Sequence, residues 1–290
     1  MRVLVIQLFV NGLIAASFYA LAGVTWGVIY RTTHIFHFAH HFVFSVAGYA
    51  AIMITAQAHL PYFFGFFAAV GVAVLLGCAI DAFLYRRLRM SGATQATTFL
   101  ASLGFGTAGV AILLFAFSSS PQRLVGFPTK ILSIGEAFFS VADLTMVIVS
   151  WTMIGFLLFF LAKSRYGKAI RAVGSNAEMA RNVGLNIDRI YLLVFAVGSG
   201  LFGVAAFLFT AKNVAYPTMG VLPFFMAFTA VFLGGVTSIP GHALAGFILG
   251  FSESLGMLVL PGEYKTMIAF AILFVVIIIR PEGLLGFKRG

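Results

Sequence analysis

Apolar runs of about 20 residues follow one another along almost the whole chain, and they restrict the possible folds more than any other feature. One such run crosses a bilayer as a single α-helix. Mean hydropathy is +1.07, and 61% of the residues are hydrophobic, which is more apolar surface than a water-soluble fold can bury. The runs do not alternate with period two, which disfavours a β-barrel. We therefore predict an all-α, polytopic transmembrane helical bundle.

The apolar runs predict eight or nine membrane spans within a single transmembrane domain, residues 1–290. The last four runs are closely spaced, and two runs are interrupted by glycine, histidine or short loops, so the alternative to nine spans is eight spans with one re-entrant segment. The predicted spans lie near 5–29, 36–57, 61–84, 94–118, 140–162, 190–211, 221–239, 242–260 and 264–280.

Lysine and arginine residues are distributed unevenly between the two sides of the predicted bundle. If the spans alternate in direction, thirteen of the 18 fall on one side, among them Arg31, the cluster 86–89 and the six in 163–189. Cytoplasmic loops carry the excess of these residues, so this side is predicted to be cytoplasmic, with the C-terminus cytoplasmic and the N-terminus periplasmic. Topology and anionic lipid then explain the net charge of +10 without a nucleic-acid partner.

The segment 163–189 is long, polar, charged and helix-patterned at once. A short helix ending at Gly174 and a second helix over 176–183 are predicted, because glycine commonly ends a helix. Ser175 precedes Glu178 by three residues, which is the spacing of a capping box. Two interpretations stay open, a connector lying on lipid headgroups and a helix that docks into a groove of a soluble partner.

Four parts of the sequence together resemble the branched-chain amino acid ABC transporter permeases. The stretch 171–189, RAVGSNAEMARNVGLNIDR, is similar to the cytoplasmic coupling segment of that family. Residues 11–13 with 19–22 resemble its first helix, residues 232–241 resemble its small-residue turn, and residues 280–286 resemble its C-terminal stop. The resemblance covers essentially the whole chain and is closest to the shorter of the family's two permease types.

The resemblance implies an ABC importer permease fold and a multi-pass protein of the bacterial inner membrane that imports branched-chain or related amino acids or small amides. Because the chain has no phosphate-binding loop, it would not be the ATPase, and no enzyme activity or cofactor is implied. The implied partners are two ATP-binding subunits, a second permease subunit in a heterodimer, an extracytoplasmic substrate-binding protein and membrane lipid. The residues implied to couple to the ATPase are Ser175, Asn176, Ala177, Glu178, Met179, Ala180, Arg181 and Gly184.

A stand-alone secondary transporter or channel is the alternative function. Its energy coupling would run through Glu253 or the histidines, since broken helices and charges near the bilayer midplane occur in such proteins. The capped cytoplasmic helix discriminates between the two functions, because a secondary transporter has no ATPase to dock.

One stretch departs from the pattern of the family. The family usually has Asn-Phe-Ala-His-Gly and then an acidic residue at the start of the second span, whereas this chain has HFAHHF at 37–42. In a helix, His37, His40 and His41 would lie on nearly one face. They are therefore predicted to line or gate the pathway, and a metal site is the alternative.

A few other polar residues lie within or beside the apolar runs. Asn11 and Glu253 are further pathway candidates, although Glu253 could also lie close enough to the outer end to reach water or a partner. Asp81, one turn from Arg86, is predicted to be interfacial. Ser102 fits either a helix–helix hydrogen bond or a substrate contact. No arrangement of these residues suggests catalysis.

Several glycines are predicted to serve helix packing. Gly104-Phe-Gly-Thr-Ala-Gly109 matches the dinucleotide fingerprint, but it lies inside an apolar run with no preceding strand. Two glycine pairs have the spacing of four residues that lets helices approach closely, and they are Gly23 with Gly27 and Gly246 with Gly250.

Overall fold

The computed structural model describes residues 2–259, 261 and 264–286, and over this part the chain is helical except for connections and one short hairpin. Two π-helices lengthen α2 and α3, and the hairpin pairs two antiparallel strands outside the helices. The elements in chain order are α1 (Arg2–Thr33), α2 (His40–Ile52), a π-helix (Met53–Gln57), α3 (Tyr62–Ala79), a second π-helix (Ile80–Tyr85), α4 (Arg86–Met90), α5 (Gln95–Phe117), β1 (Ile131–Ile134), β2 (Ala137–Ser140), α6 (Val141–Lys163), α7 (Arg165–Ser175), α8 (Ala177–Asn182), α9 (Ile187–Lys212), α10 (Val221–Gly234), α11 (Ile239–Gly256) and α12 (Lys265–Ile279).

Every predicted apolar run coincides with a helix, with its ends shifted by a few residues. Within the described residues, five helices are long and apolar enough to cross a membrane, and the number becomes six if α10 and α11 are counted as one broken span. The prediction of an all-α membrane bundle is confirmed, while the number of eight or nine spans stays a prediction. The five helices are Val3–Thr33, Tyr62–Met90, Gln95–Phe117, Val141–Lys163 and Ile187–Lys212.

Helices α10 and α11 meet at a bend of 119°. Gly235 has φ +95°, which favours glycine, and the Ser238 side chain caps α11 by accepting a hydrogen bond from the Gly241 N–H at 3.1 Å. The C-terminal stretch packs against this bend, where the Leu284 N–H donates to the Leu233 carbonyl at 2.8 Å. The small-residue turn and the C-terminal stop of the sequence motifs are therefore in contact.

The contacts divide the chain into two compact units. Among the described residues, unit 1 contains those within 1–27, 127–154 and 225–290. Unit 2 contains those within 28–126 and 155–224. The prediction of one membrane domain stays a prediction.

In unit 1, α1 and α11 pack backbone against backbone. A Cβ added at Gly246 would lie 2.5 Å from the Tyr19 carbonyl oxygen, and one added at Gly250 would meet the backbone of Ala16. The glycines at 23 and 27 of α1 lie against the beginning of α11. The predicted role of both glycine pairs in close helix approach is confirmed, because larger side chains would separate the two helices.

In unit 2, α9 is the central helix. Its apolar window is 72% buried, against 22–44% for the other four single-helix spans. Small residues let α3 approach it, since a Cβ at Gly203 would lie 2.7 Å from the Ala73 Cβ and 2.8 Å from the Ala69 carbonyl oxygen. This contact positions the residues that both helices present to the interior of unit 2.

The two ends of unit 2 differ in charge. At one end, Gly174 of α7 packs against the backbone of Arg31, and Arg89 pairs with Asp188. At the other end, Gln122 and Ala215 form an antiparallel β-bridge. More of the basic groups therefore lie at the first end, while Arg123 and Lys212 lie at the second, and which membrane face each end occupies stays a prediction.

Substitution of Gly250 by alanine should destabilise the protein. The added methyl would meet the Ala16 backbone, and overpacking of this kind typically costs about 1–3 kcal/mol. Gly104→Ala is the matched control: nothing lies within 4 Å of a Cβ there, and alanine favours a helix over glycine by up to about 1 kcal/mol. Unfolding by SDS in mixed micelles measures both, and equal effects of the two variants would contradict the α1–α11 contact.

Candidate coupling helix and transport pathway

The polar segment 163–189 forms two helices and the start of a third. Helix α7 begins after Ser164, whose hydroxyl accepts a hydrogen bond from the Gly167 N–H at 2.8 Å. Helix α8 follows after one residue, and α9 begins five residues after α8 ends. Two short helices were predicted here, and the structure contains them with different ends.

The predicted cap of the second helix is wrong by one residue. Ser175 is the last residue of α7, and the capping residue is Asn176, whose Oδ1 accepts a hydrogen bond from the Met179 N–H at 2.8 Å. Asn176 is extended, with φ −155° and ψ 103°, so it ends α7 and caps α8 at once. Serine and asparagine cap helices about equally well, so the sequence pattern does not separate them. Glu178 lies in the first turn, where a negative charge is favourable.

Helix α8 exposes most of its side chains. Met179 is 65% exposed, Glu178 and Arg181 are also exposed, and Val183, the residue after the helix, is 73% exposed. Ala180 is buried against the rest of unit 2. A large apolar side chain on a water-facing helix costs free energy unless a partner covers it. The helix therefore offers an apolar and charged surface to another molecule.

The connection between α8 and α9 is short, and hydrogen bonds cap the two helix ends that it joins. Gly184 ends α8 as predicted, with φ +89°, and its N–H donates to the Arg181 carbonyl at 2.9 Å. The Leu185 N–H reaches the Ala180 carbonyl at 3.1 Å. Asn186 then caps α9 by accepting from the Arg189 N–H at 3.0 Å. Four residues, 183–186, therefore separate α8 from α9.

The predicted histidine cluster belongs to a buried hydrogen-bond network of unit 2. His37 Nδ1 lies 2.7 Å from the Tyr85 hydroxyl, and that hydroxyl lies 2.6 Å from the Ser102 hydroxyl. The Ala39 N–H donates to Ser102 Oγ at 3.0 Å. Ser102 thus makes the helix–helix hydrogen bond, one of the two roles predicted for it. The network joins the turn before α2 to α5 and to the Ile80–Tyr85 π-helix.

The expected arrangement of three histidines on one helix face is wrong. Helix α2 begins only at His40, so His37 lies before it, and the rings of these two residues are 5.0 Å apart. His40 stacks on Phe202 with ring centroids 4.0 Å apart. His41 points elsewhere, towards Phe224 at 6.1 Å. In the part of the chain that the structure describes, no three His, Cys, Asp or Glu side chains are grouped for a metal ion.

The other two pathway candidates lie in unit 1. Asn11 is exposed on α1, and its Oδ1 accepts a hydrogen bond from the Gln7 side chain at 3.1 Å. Gln7 also exchanges two 2.9 Å hydrogen bonds with the Phe138 backbone in β2. Glu253 is 5% exposed on α11, and the Tyr19 hydroxyl hydrogen-bonds its carboxylate. Glu253 is therefore buried and paired, not directed to water.

Sequence reasoning missed the residues that organise the network. Tyr85 was not singled out, because one tyrosine at the end of an apolar run carries no signal of its own. Asp81 is 2% exposed and pairs with Arg89 at 2.7 Å, a partner that the sequence did not indicate, and its interfacial position stays a prediction. The pairing is at i+8 because a π-helix intervenes, and no pattern in the sequence marks that π-helix.

Comparisons with known proteins agree on one family. The family described as branched-chain amino acid transport system, permease component, matches residues 8–277. The chain is 32% identical to the high-affinity branched-chain amino acid transport system permease protein BraD of Pseudomonas aeruginosa, over 97% of this chain and 95% of that protein. It is 31% identical, with the same coverage, to the corresponding permease protein LivH of Escherichia coli.

One solved structure is similar in fold. PsaBC from Streptococcus pneumoniae, in complex with Fab, matches with a TM-score of 0.52 and 14% sequence identity. The match covers 94% of this chain and 91% of that chain. At this identity the likeness shows the shared fold alone.

Removal of the Tyr85 hydroxyl should destabilise unit 2. Tyr85→Phe removes the hydroxyl that contacts both His37 Nδ1 and Ser102 Oγ, while Ser102 still accepts from the Ala39 N–H, and this loss typically costs about 1–3 kcal/mol. Tyr166→Phe is the matched control. Because Tyr166 is 63% exposed on α7, removal of its hydroxyl should change the free energy of unfolding little. SDS titration in mixed micelles compares the two, and an unchanged free energy of unfolding for Tyr85→Phe would contradict the network.

Proposed function

The chain belongs to the family of branched-chain amino acid transport system permease components, and on this premise we propose that α8 is the helix through which ATP hydrolysis drives it. The chain is a permease subunit of an importer and not an enzyme. Importers of this family work with ATP-binding and substrate-binding proteins. What remains to be assigned is the substrate, the docking site, the assembly and the topology.

The proposed substrates are branched-chain or related amino acids or small amides. The names of BraD and LivH support this class, since both describe high-affinity branched-chain amino acid transport and both cover nearly the whole chain. The scarcity of charged residues within the spans supports it too, because strongly charged or phosphorylated cargo needs compensating charge. The HFAHHF stretch at 37–42 leaves the choice within this class open.

The exposed, capped helix α8 is the observation that carries the docking proposal. It lies between α7 and α9 in a chain made mostly of apolar helices, and its Met179, Glu178 and Arg181 side chains are exposed. An amphipathic helix in the groove of a soluble partner is a common mode of recognition. The proposed contact residues are Ser175, Asn176, Ala177, Glu178, Met179, Ala180, Arg181 and Gly184. Ala180 is buried, so its contribution would be indirect.

The proposed assembly contains two ATP-binding subunits and a second permease subunit. This chain offers a single α8 among its described residues, so a pair of ATP-binding subunits needs a second permease to supply the other docking helix. The family resemblance favours a heterodimer, with an extracytoplasmic protein delivering the substrate. Closure of the two ATP-binding subunits would move α8 and switch the bundle between outward and inward openings.

The proposed topology has nine crossings, with the N-terminus periplasmic and the C-terminus cytoplasmic in a bacterial inner membrane. Helix α10 has 14 residues and is about 21 Å long, which is shorter than the hydrocarbon core of about 30 Å. It begins inside unit 2, where the Gly220 N–H donates to Ser45 Oγ at 3.2 Å. The chain after α9 would therefore complete the seventh crossing, and burial in protein makes such non-helical backbone tolerable.

The proposed pathway passes the histidines in its cytoplasmic half. His37, His40 and His41 lie in and beside the buried network, at the start of the helix that would leave the cytoplasmic face. Asn11 and Glu253, on α1 and α11 of unit 1, stay pathway candidates from the sequence alone. Polar residues within a membrane bundle commonly mark the route of the substrate.

Cysteine cross-linking tests the docking proposal. A cysteine at Arg181 of α8, paired with cysteines on the docking surface of the ATP-binding subunit, should form a disulfide in the assembled complex. Ser133→Cys in the hairpin is the control, since a residue on the opposite membrane face should not cross-link. Labelling of residues in 163–189 by an impermeant reagent from the periplasmic side would overturn both topology and docking.

Energy coupling separates an ATP-driven importer from a proton-coupled transporter. In proteoliposomes with the full complex, a proton ionophore should leave uptake intact, and a hydrolysis-dead ATP-binding subunit should abolish it. Glu253→Gln should keep this pattern, because the carboxylate pairs with Tyr19 in unit 1 and a relay needs several ionisable groups. Uptake by this subunit alone under a pH gradient would contradict the assignment.

A further inference from the structure

A cluster of ion pairs lies at the basic end of unit 2. Arg89 Nη1 lies 2.7 Å from Asp81 Oδ1, and Arg89 Nη2 lies 3.4 Å from Asp188 Oδ1. The Arg89 guanidinium also covers the Tyr191 ring at 4.8 Å, which is a cation–π distance. Arg86 approaches Asp188 from outside at 3.5 Å. One arginine therefore joins the Ile80–Tyr85 π-helix to the first turns of α9.

The two arms of Arg89 are its buried ion pair with Asp81 and its exposed ion pair with Asp188, and they differ in strength. The Asp81 side chain is 2% exposed, so its pair with Arg89 is short, buried and costly to break. The Asp188 side chain is 50% exposed and more distant, and exposed ion pairs contribute little to stability. Arg89 therefore stays attached to the π-helix, while its contact with α9 can change at small cost.

One face of α9 runs from this cluster to the histidines. Asp188, Tyr191, Phe195 and Phe202 are spaced by three, four and seven residues, which places them on one side of a helix. Asp188 and Tyr191 contact Arg89. Phe195 packs on the Tyr85 ring at 5.3 Å and on the His37 ring at 5.1 Å, and Phe202 stacks on His40. A shift of α9 acts on all of these contacts.

The π-helix offers a second arrangement for Tyr85. It carries Asp81 near one end and Tyr85 at the other, so the residue held by Arg89 and the residue held by His37 share one turn. A π-helix contains one more residue per turn than the α-helices around it and is often found at functional sites. Its return to α-helix would rotate the following side chains by about 100°, the angle per residue, and withdraw the Tyr85 hydroxyl from His37 and Ser102.

We propose that Arg89 is a positioning residue that transmits displacement of α8 to the histidine network, through Asp188 on one side and the Ile80–Tyr85 π-helix on the other. This inference rests on the proposed docking of an ATP-binding subunit to α8. Four residues, 183–186, connect α8 to α9, and Asp188 lies two residues after the Asn186 cap, so the exposed arm of Arg89 is within one turn of the end of this connection. Loss of that arm frees the π-helix and with it Tyr85.

The first test measures substrate transported per ATP hydrolysed, in proteoliposomes with the complete transporter. Arg89→Gln should leave α8 docked and ATP hydrolysed, yet lower this ratio by at least about fivefold, the lower end of coupling between distant sites. Arg87→Gln is the matched control, an exposed arginine of the same short helix, and should leave the ratio unchanged. An unchanged ratio in Arg89→Gln would overturn the proposal.

Three further variants distinguish a loss of coupling from a folding defect. Asp188→Asn changes a half-exposed side chain, so it should fold and lower the ratio in the same direction. The double variant Arg89→Gln with Asp188→Asn should be no worse than Arg89→Gln alone, because both changes break one connection. Arg89→Lys should restore part of the ratio, since lysine keeps the charge but lacks the fork that reaches two carboxylates. Additive losses would overturn the proposal.

A spectroscopic measurement follows Tyr85 itself. The nine tyrosines are replaced by 3-fluorotyrosine, and the Tyr85 signal is assigned from Tyr85→Phe. In the assembled complex this fluorine resonance should move between the nucleotide-free and nucleotide-trapped states, and it should stay fixed in Arg89→Gln. Equal movement in Arg89→Gln would refute the transmission through Arg89. Failure of α8 to cross-link to the ATP-binding subunit would instead refute the docking on which the inference rests.

Discussion

The close contact between α3 and α9 is the interaction on which the candidate site depends. Glycine and alanine at this contact bring the two backbones together, as at Gly203 and Ala73. Phe195 and Phe202 of α9 then reach His37, His40 and Tyr85, and Asp188 reaches Arg89. In a bilayer there is no hydrophobic force between helices, so small residues and tight packing must supply this association.

The polar segment 163–189 differs from the bundle in how its polar groups are satisfied. Within the bundle every polar group needs a partner, which explains why Tyr85, Ser102 and His37 form a closed network. In α8 most side chains are exposed and its ends are closed by Asn176 and Gly184, while Ala180 packs against unit 2. An exposed but well-defined helix suits an importer whose energy source is a separate protein.

Local patterns in the sequence predicted much of the fold. Continuous apolar runs predicted the helices because hydrocarbon requires helices of this length, and glycine spacing predicted close helix approach at the positions where α1 and α11 meet. The errors arose where two local solutions have nearly equal free energy. Serine and asparagine cap equally well, so the cap was assigned to Ser175 instead of Asn176. The spacing of the histidines assumed a helix that begins only at His40.

By itself the sequence determined the membrane class, the positions of the helices, the presence of a short capped helix in the polar segment and, through its motifs, the family. Each of these depends on residues close together in the chain or on composition. Only the tertiary structure decided which polar residues meet. Tyr85 binds His37, and Asp81 is buried against Arg89, with the turn of π-helix between these two paired residues. Those contacts join residues up to about a hundred positions apart, as between Arg89 and Asp188, and depend on how helices pack, which no local pattern encodes.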